Sequence, residues 1–375
     1  MVVQEFPEKR RVEPPDVAAD GAAAERAATP DAIGTVPRGQ VKGFLRGVRD
    51  RIASTVESDT EVVNEELTPL DTQFTIVSPP TTEIDITSED YIAGVRRAAV
   101  DFNDLLANHT GRDADTGIPF IKPEETKSAE DFAVEILEKG QDRVLVLLKD
   151  NTGKVIDGVY GPLYTVSDAK GKKTMYATLE YQGSEASNHG LGFGSTAFEL
   201  YRAKLIEIAR KRKVEFGGIL IEAVATAGAY WEYVGAKSPY LIDGDKAIKT
   251  DYAMPQLNFD PETGEPLSTD VLRENIKLIP SIPGRSTITV GQWRKIVTTF
   301  YETSYMPKRE RFGSDAAWET AKASVNRTLQ EICLSQFDGF PDDTVLHLKF
   351  DRELRGQKGF KVIRPWLSAE EDLAD

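Results

Sequence analysis

The chain is poor in the residues that build covalent cross-links and metal centres. Its 375 residues include one cysteine, Cys333, and three histidines that lie far apart in sequence, His109, His189 and His347. A single cysteine excludes an internal disulfide framework, and no spacing typical of a metal site is present, so we expect no metal. Cys333 lies in an apolar segment, which favours a buried helix residue over a nucleophile.

Long apolar runs and positive charge are also scarce. No run approaches the roughly 20 apolar residues that a membrane helix needs, and residues 1–8 lack the apolar core of a signal peptide. We therefore expect a cytoplasmic protein without a membrane span. The 46 Lys and Arg against 61 Asp and Glu give a net charge of −15 at pH 7, which disfavours nucleic acid and favours a cationic substrate or partner.

Aromatic residues are almost absent from residues 1–70, where proline and alanine are dense. Such a segment buries too little apolar area to offset the entropy lost on ordering, so we expect a disordered, low-complexity tail. Residues 38–53 differ, because basic residues are frequent there and apolar residues recur four apart. This pattern predicts a short amphipathic helix that either docks on an acidic partner or is merely solvated.

Glycine, by contrast, is concentrated in one segment, where Gly190, Gly192 and Gly194 lead into a run with helical spacing. Glycines at the start of a helix let a ligand approach the backbone closely, and the first amide N–H groups of the helix point at that ligand. The segment therefore predicts a cradle for a phosphate or a pyrophosphate.

Regular patterns lie on both sides of the glycine segment. Residues 174–181 alternate like a strand, and residues 195–212 carry apolar residues at helical spacing. Residues 217–224 predict a buried strand, and residues 227–235 predict a short helix. Upstream, the patterns predict two helices and then a hairpin, over residues 89–107, 128–138 and 143–160.

Residues 174–237 resemble the acetyl-CoA-binding core of the GNAT superfamily of N-acyltransferases. The loop pattern of that family, Arg/Gln-x-x-Gly-x-Gly/Ala, is filled by His189, Gly192 and Gly194. Two positions depart from the family: His189 replaces Arg or Gln, and Trp231 stands where many members carry the tyrosine that protonates the CoA thiolate. The later signature of the family, an aromatic pair, an apolar residue and a glycine, matches Tyr230, Trp231, Val234 and Gly235.

The resemblance implies a mixed α/β (α+β) fold, with a mostly antiparallel central sheet flanked by helices. It implies an acyl-CoA-binding domain over residues 71–240, which uses acetyl-CoA as cosubstrate to acylate an amine. Residues 241–375 are then an extension of helices and one or two strands, packed on the same sheet or serving a homodimer or a partner. The order of elements expected from the sequence patterns is the one that the resemblance implies.

The resemblance also implies roles for individual residues. Independently of the resemblance, acylation of an ammonium needs a base; Glu180, at the end of one predicted strand, is the first candidate, and Glu222, at the end of the neighbouring strand, is the second. Tyr230 and Tyr233 flank the position expected for an acid. The loop amides would hold the pyrophosphate, and an amide at the end of the preceding strand would bind the thioester carbonyl. The predicted CoA-binding residues are Leu179, Tyr181, His189, Gly190, Leu191, Gly192, Phe193, Gly194 and Ser195.

Other interpretations of the glycine segment stay open. Gly190, Gly192 and Ser195, followed by Glu222, nearly fit a Rossmann fingerprint, although a polar loop separates the strand from its first glycine. The segment could also be a purely structural turn. A protein with this fold could bind CoA without chemistry, or could serve as a scaffold.

Overall fold

The structure of the chain is a computed structural model. The predicted tail over residues 1–70 and the basic segment 38–53 lie outside the described residues, as do His189 and Gly190. The structure describes residues 73–77, 89–109, 127–138, 142–150, 152–168, 170–185, 191–223, 228–268, 272–273, 275–282, 284–355 and 361–363.

Two of the described helices begin at a capping box. Ser128 accepts a hydrogen bond from the backbone N–H of Asp131, whose side chain accepts one in return, and Thr289 and Gln292 form the same capping box. None of the described helices is both long and apolar enough to cross a membrane. The helices are α1 (Glu89–Asp104, continued by a π-helical turn to His109), α2 (Ala129–Leu137), α3 (Phe193–Lys211), α4 (Gly228–Tyr233), α5 (Val290–Ser304), α6 (Asp315–Thr328, continued by π and 3-10 turns to Phe337) and α7 (Asp351–Arg355).

A seven-stranded sheet forms the centre of the described fold. Its strand order is β1-β2-β3-β4-β6-β11, with β5 also paired to β3, and each of these pairs is antiparallel except β4 with β6. The mixed, mostly antiparallel fold class is therefore confirmed, whereas a Rossmann domain would need a parallel sheet. The strands are β1 (Gln73–Val77), β2 (Asp142–Lys149), β3 (Val155–Ser167), β4 (Lys173–Leu179), β5 (Tyr181–Ser184), β6 (Glu215–Ala223) and β11 (Asn275–Pro280).

A second sheet comes from the C-terminal part of the chain, with the order β12-β13-β7-β8-β14. We expected one or two strands in residues 241–375, so the hairpin of β7 and β8 beside β12, β13 and β14 is a correction to that expectation. The division of the chain at residue 240 stays a prediction, although β11 from beyond it joins the main sheet beside β6. The remaining strands are β7 (Ser238–Asp243), β8 (Lys246–Lys249), β9 (Ala253–Met254), β10 (Leu272–Arg273), β12 (Thr287–Thr289), β13 (Val345–Lys349) and β14 (Lys361–Ile363).

Helices cover both faces of the main sheet. Helix α3 packs on one face, where Phe198 and Tyr201 meet alternate residues of β2, β4 and β6 such as Ile221. On the other face, α1 and α2 cover β2 and β3, and α5 covers the half formed by β4, β6 and β11 through Trp293 and Phe300. The candidate site lies between these layers of helices, at the end of the sheet where β4 and β6 stop pairing.

A buried cluster of charges connects the main sheet to the second sheet. Lys277 of β11 is 1% exposed, and its Nζ lies 3.3 Å from Glu232 of α4 and 2.9 Å from Asp351 of α7. Lys249 of β8 also reaches Asp351, at 2.8 Å. Burial alone would raise the pKa of Asp351, but Lys249 and Lys277 outweigh it and hold the pKa below the ordinary value.

Candidate active site

A β-bulge lies between β4 and β5, the two strands that pair one after the other with β3. Ala177 faces Leu163 and Tyr181 faces Tyr160, so four residues of β4–β5 span the distance that three residues of β3 span. The extra residue is accommodated at Glu180, whose amide donates to the Tyr160 carbonyl at 3.0 Å. Bulges bend a strand and change the direction of the side chains beside them.

Gly161 on the neighbouring strand allows this bulge. A Cβ atom on Gly161 would lie 1.8 Å from the carbonyl oxygen of Thr178 and 2.9 Å from the Tyr201 hydroxyl. That hydroxyl donates to the same Thr178 carbonyl at 3.1 Å. The position therefore requires glycine, because the bulged backbone approaches β3 too closely for any side chain.

The main sheet opens just beyond the bulge. The last parallel pair of β4 with β6 is Leu179 with Ile221. After it, β5 stays paired with β3, while β6 continues beside β11 as far as Ala223. The sheet therefore splits into a V, and Glu180 and Glu222 follow the last pair on its two sides.

Helix α3 begins at this opening. Its N-cap, Gly192, has φ of 104° and offers no side-chain cap, and the first amides of a helix have no partner within the helix. The amide nitrogen Nε2 of Gln182 on β5 donates to the carbonyl of Gly194 at 2.9 Å, which ties the helix start to the strand. Backbone amides of residues 193–195 are thus available at the mouth of the V.

The residues around the helix start pack closely. A Cβ atom on Gly194 would lie 3.0 Å from Gln182 Nε2, 3.3 Å from Ser184 Oγ and 3.4 Å from Asp157 Oδ2. Leu191 and Phe193 are buried in the core beneath α3, so a ligand can reach them only through their backbone. The pyrophosphate cradle at these residues stays a prediction.

Asp157 is a functional candidate that the sequence reasoning missed. It is fully buried on β3, the Ser184 hydroxyl donates to its Oδ2, and no hydrogen-bond partner of its Oδ1 lies in the described part of the chain. Burial raises the pKa of Asp157 well above the ordinary value, although hydrogen bonds from Ser184 and the Gly158 amide oppose the rise. The signal in the sequence is an acid within an apolar strand.

We expect Asp157→Asn to stabilise the protein increasingly as the pH rises. The unfolded chain has an Asp pKa of about 3.9, and the folded pKa lies above it. Below about pH 3.9 the carboxyl costs no stability, but above this pH the wild-type protein loses up to about 1.4 kcal/mol of unfolding free energy per pH unit. Asparagine removes this loss. Urea unfolding at pH 5 and pH 8 measures the effect, with the exposed Asp338→Asn as control. If the difference in the free energy of unfolding between Asp157→Asn and the wild-type protein is the same at pH 5 and pH 8, Asp157 ionises normally.

The structure separates the two predicted tyrosines. The Tyr230 hydroxyl lies 3.3 Å from Gln182 Nε2, beside the start of α3, whereas Tyr233 is 70% exposed. Burial and Asp157 raise the pKa of Tyr230 to about 12, despite hydrogen bonds to Gln182 and Ser195. Trp231, at the position of the family tyrosine, is buried edge-on against Phe198 with ring centroids 6.2 Å apart.

Glu180 belongs to a ring of two carboxylates and two cations. Lys127 Nζ lies 2.8 Å from Glu180 and 2.9 Å from Glu135. Arg143 reaches the same two carboxylates, at 3.2 Å and 3.7 Å, and Tyr160 donates to Glu135 at 2.7 Å. Burial would raise the pKa of Glu180, but Lys127 and Arg143 outweigh it and lower the pKa.

Glu222 has different surroundings on the other side of the V. The Tyr252 hydroxyl donates to its Oε1, and the Tyr305 hydroxyl also forms a hydrogen bond with it. Both tyrosines come from beyond residue 240. Among the described residues, no group of three His, Cys, Asp or Glu side chains is placed to hold a metal.

No profile of a known protein family and no curated protein matches the chain. The similar solved structures include acetyltransferases. One from Trypanosoma brucei is 13% identical over 44% of this chain and 92% of its own, with a TM-score of 0.27. A GNAT-family acetyltransferase from Staphylococcus aureus is 11% identical over 56% and 99%, with a TM-score of 0.30. The ribosomal-protein-S18-alanine N-acetyltransferase of Escherichia coli is 17% identical over 57% and 97%, with a TM-score of 0.28. Similarity this distant assigns no activity or substrate to the present chain.

Proposed function

We propose that the chain transfers an acyl group, with acetyl the first candidate, from CoA to an amine. The observation that carries the proposal is the V between β4 and β6, which opens beside the bulge at Glu180 and the uncapped start of α3. Acyl transfer needs a place where the long, anionic carrier meets backbone amides, the thioester oxygen meets a hydrogen-bond donor, and the attacking amine meets a base. The V brings these elements together.

The residues at the helix start suit the pyrophosphate of CoA. Amides of residues 191–195 would hold it, since the helix N-terminus favours an anion and Gly192 leaves those amides uncapped. The amide of Glu180 already donates to Tyr160, so we assign the thioester oxygen first to the amide of Leu179, and Tyr181 stays a predicted neighbour of the thioester. His189 and Gly190 stay predicted members of the cradle.

The two candidate bases differ in their neighbours. Glu180 is neutralised by Lys127 and Arg143, and its lowered pKa makes it a weaker proton acceptor. Glu222 receives hydrogen bonds from neutral tyrosine hydroxyls. Glu180 is the first candidate for the base from the sequence, but its ion pairs make it a residue that fixes the bulge and favour Glu222 as the base.

Tyr230 is the better placed of the two candidate acids. Its pKa of about 12 lies above the roughly 8.5 of an ordinary thiol, so full proton transfer to a thiolate would be uphill. A phenol that stays protonated can still donate a hydrogen bond to the departing sulfur. Tyr233, exposed on α4, is placed less well for this role.

Replacing Ser195 by aspartate tests the cradle. The added carboxylate lies in the first turn of α3, where it stabilises the helix but repels the pyrophosphate. At about 5 Å and an effective dielectric constant of about 20, the repulsion corresponds to roughly 100-fold weaker binding. Calorimetric titration with CoA measures the loss, and Ser195→Ala is the uncharged control.

Unchanged CoA affinity in a folded Ser195→Asp protein would contradict the cradle. Release of CoA from acetyl-CoA in the presence of a panel of aliphatic amines then separates an enzyme from a binding module. A wild-type protein that binds CoA but acylates no amine would support the module, and one that binds no CoA would support a scaffold.

A further inference from the structure

We propose that the C-terminal part of the chain completes the acceptor side of the V: Tyr252 and Tyr305 position Glu222 to bind a protonated aliphatic amine and accept its proton. This inference rests on the proposed acyltransferase function. It makes the two tyrosines positioning residues and gives the residues beyond 240 a direct part in the reaction.

The contacts converge on one carboxylate from two separate elements. Tyr252 follows β8, and its hydroxyl donates to Glu222 Oε1. Tyr305 follows the last turn of α5, and its hydroxyl forms a hydrogen bond with Glu222 and lies 3.4 Å from the Tyr252 hydroxyl. A carboxylate held by donors from two elements has little freedom to rotate.

The two tyrosine rings are themselves fixed. Tyr252 is 1% exposed and stacks on Phe300 with ring centroids 6.4 Å apart. Tyr305 packs on the same Phe300 at 5.2 Å and against Tyr301 at 5.1 Å. Packing therefore sets the position of both hydroxyl groups, as a preorganised site requires.

The direction of the hydrogen bonds follows from the charges. Burial first, and then the nearby Glu222 carboxylate, raise the pKa of Tyr252 and of Tyr305 well above the ordinary value, so both phenols stay protonated and donate. Burial raises the pKa of Tyr164 and of Tyr301, and the negative charge of Glu222 raises both further. Donation to the ionised carboxylate favours its charged form.

This arrangement selects a cationic acceptor. Tyr252 and Tyr305 are neutral donors, so they orient the Glu222 carboxylate and add no positive charge of their own, whereas Lys127 and Arg143 bring positive charge to Glu180. An alkylammonium with a pKa near 10 is almost fully protonated at neutral pH. The carboxylate attracts this ammonium and accepts one proton from it.

The reaction then balances without a further reagent. The neutral amine nitrogen attacks the thioester carbonyl carbon, a C–N bond forms, and the C–S bond breaks. The second proton of the nitrogen passes to the departing thiolate, which gives the amide and CoA thiol. The proton accepted by Glu222 is released to solvent, which restores the carboxylate.

Carbon-13 NMR of glutamate-labelled protein tests the role of the tyrosines, with Glu222→Gln to assign the Glu222 resonance. Losing hydrogen bonds to a charged group should raise the pKa of Glu222 by about 1 to 2 units in the Tyr252→Phe/Tyr305→Phe double variant. Each single variant should give a smaller rise. Tyr301→Phe is the matched control, because the Tyr301 hydroxyl donates to the Ala253 carbonyl.

A Glu222 pKa that stays the same in the folded single and double variants would overturn the inference. With butane-1,4-diamine and acetyl-CoA as probes, the acid limb of the rate profile should move to higher pH by the same amount, and CoA affinity should not change. Failure of the wild-type protein to bind CoA would instead overturn the proposed function, whatever the pKa of Glu222 does.

Discussion

Replacing Glu222 by glutamine should lower kcat for acetyl transfer to an aliphatic diamine by about 10²- to 10⁴-fold at pH 7, the usual range for general base catalysis. Glutamine keeps the shape of the side chain and can still accept hydrogen bonds from Tyr252 and Tyr305, but it cannot take a proton. The affinity for CoA should stay the same, because Glu222 faces the acceptor side of the V. Steady-state kinetics and calorimetry measure the two effects.

Raising the pH should restore part of this loss. The neutral fraction of an alkylamine grows about tenfold per pH unit below its pKa of about 10.4, so the need for a base falls. Glu215→Gln, at the other end of the same strand, is the matched control and should retain wild-type kinetics. An effect on KM alone would make Glu222 a binding carboxylate.

Glu180→Gln should lower the free energy of unfolding by about 3 to 5 kcal/mol, since it breaks a buried ion pair and leaves two cations with one carboxylate. Arg143 is only 4% exposed, so its charge cannot be compensated by water. Chemical unfolding of the two proteins at pH 7 measures the difference. A decrease in the free energy of unfolding of less than about 1 kcal/mol would show that the four charges are solvated and contribute little to stability.

A double variant that restores the charge balance separates the effect of the unbalanced charge from that of the altered side chain. Glu180→Gln with Lys127→Met leaves Arg143 facing Glu135 and should recover part of the stability. The lowered pKa of Glu180 gives stability that is present above about pH 4.3 and is lost as the pH falls through the folded-state pKa. The difference in the free energy of unfolding between Glu180→Gln and the wild-type protein should therefore decrease at acidic pH.

The same two variants decide between the candidate bases. If Glu180 accepts the proton, kcat should fall further in a folded Glu180→Gln protein than in Glu222→Gln. If Glu222 accepts it, Glu180→Gln should act mainly on stability. The charge-restored double variant supplies a stable protein for this comparison.

Local patterns in the sequence were enough to predict most of the main sheet and its helices. The helical spacing after Gly194 predicted α3, the pattern over residues 128–138 predicted α2, and the hairpin pattern over residues 143–160 predicted β2 and β3. These elements depend on residues close in sequence, which is why periodicity and turn chemistry predict them.

Elements and contacts that depend on distant residues could not be predicted in this way. Strand β11 is half of a long-range pair with β6, and its short apolar run carries Lys277, whose burial only Glu232 and Asp351 explain. The short hairpin of β7 and β8 has a local Asp-Gly signal at residues 243–244, but β8 has only four residues, too few for alternation to identify it.

The chemistry of the site was only partly predictable for the same reason. Glu180 and Glu222 could be placed at strand ends, but their surroundings come from elsewhere. Lys127 lies 53 residues before Glu180, and Tyr252 lies 30 residues after Glu222. The ion pairs of Glu180 and the tyrosine hydrogen bonds of Glu222 depend on those distant partners.

The buried charges around Lys277 also have a consequence for protein synthesis. Lys277 has Glu232 as a partner 45 residues earlier in the chain, but Asp351 lies 74 residues later. While the ribosome is still translating, β11 can emerge and meet β6 before Asp351 exists, and the cluster then lacks the carboxylate that also holds Lys249. The charge cluster of the nascent sheet therefore stays incomplete until residue 351 has been translated, so the main sheet depends on a later segment of the chain in time as well as in space.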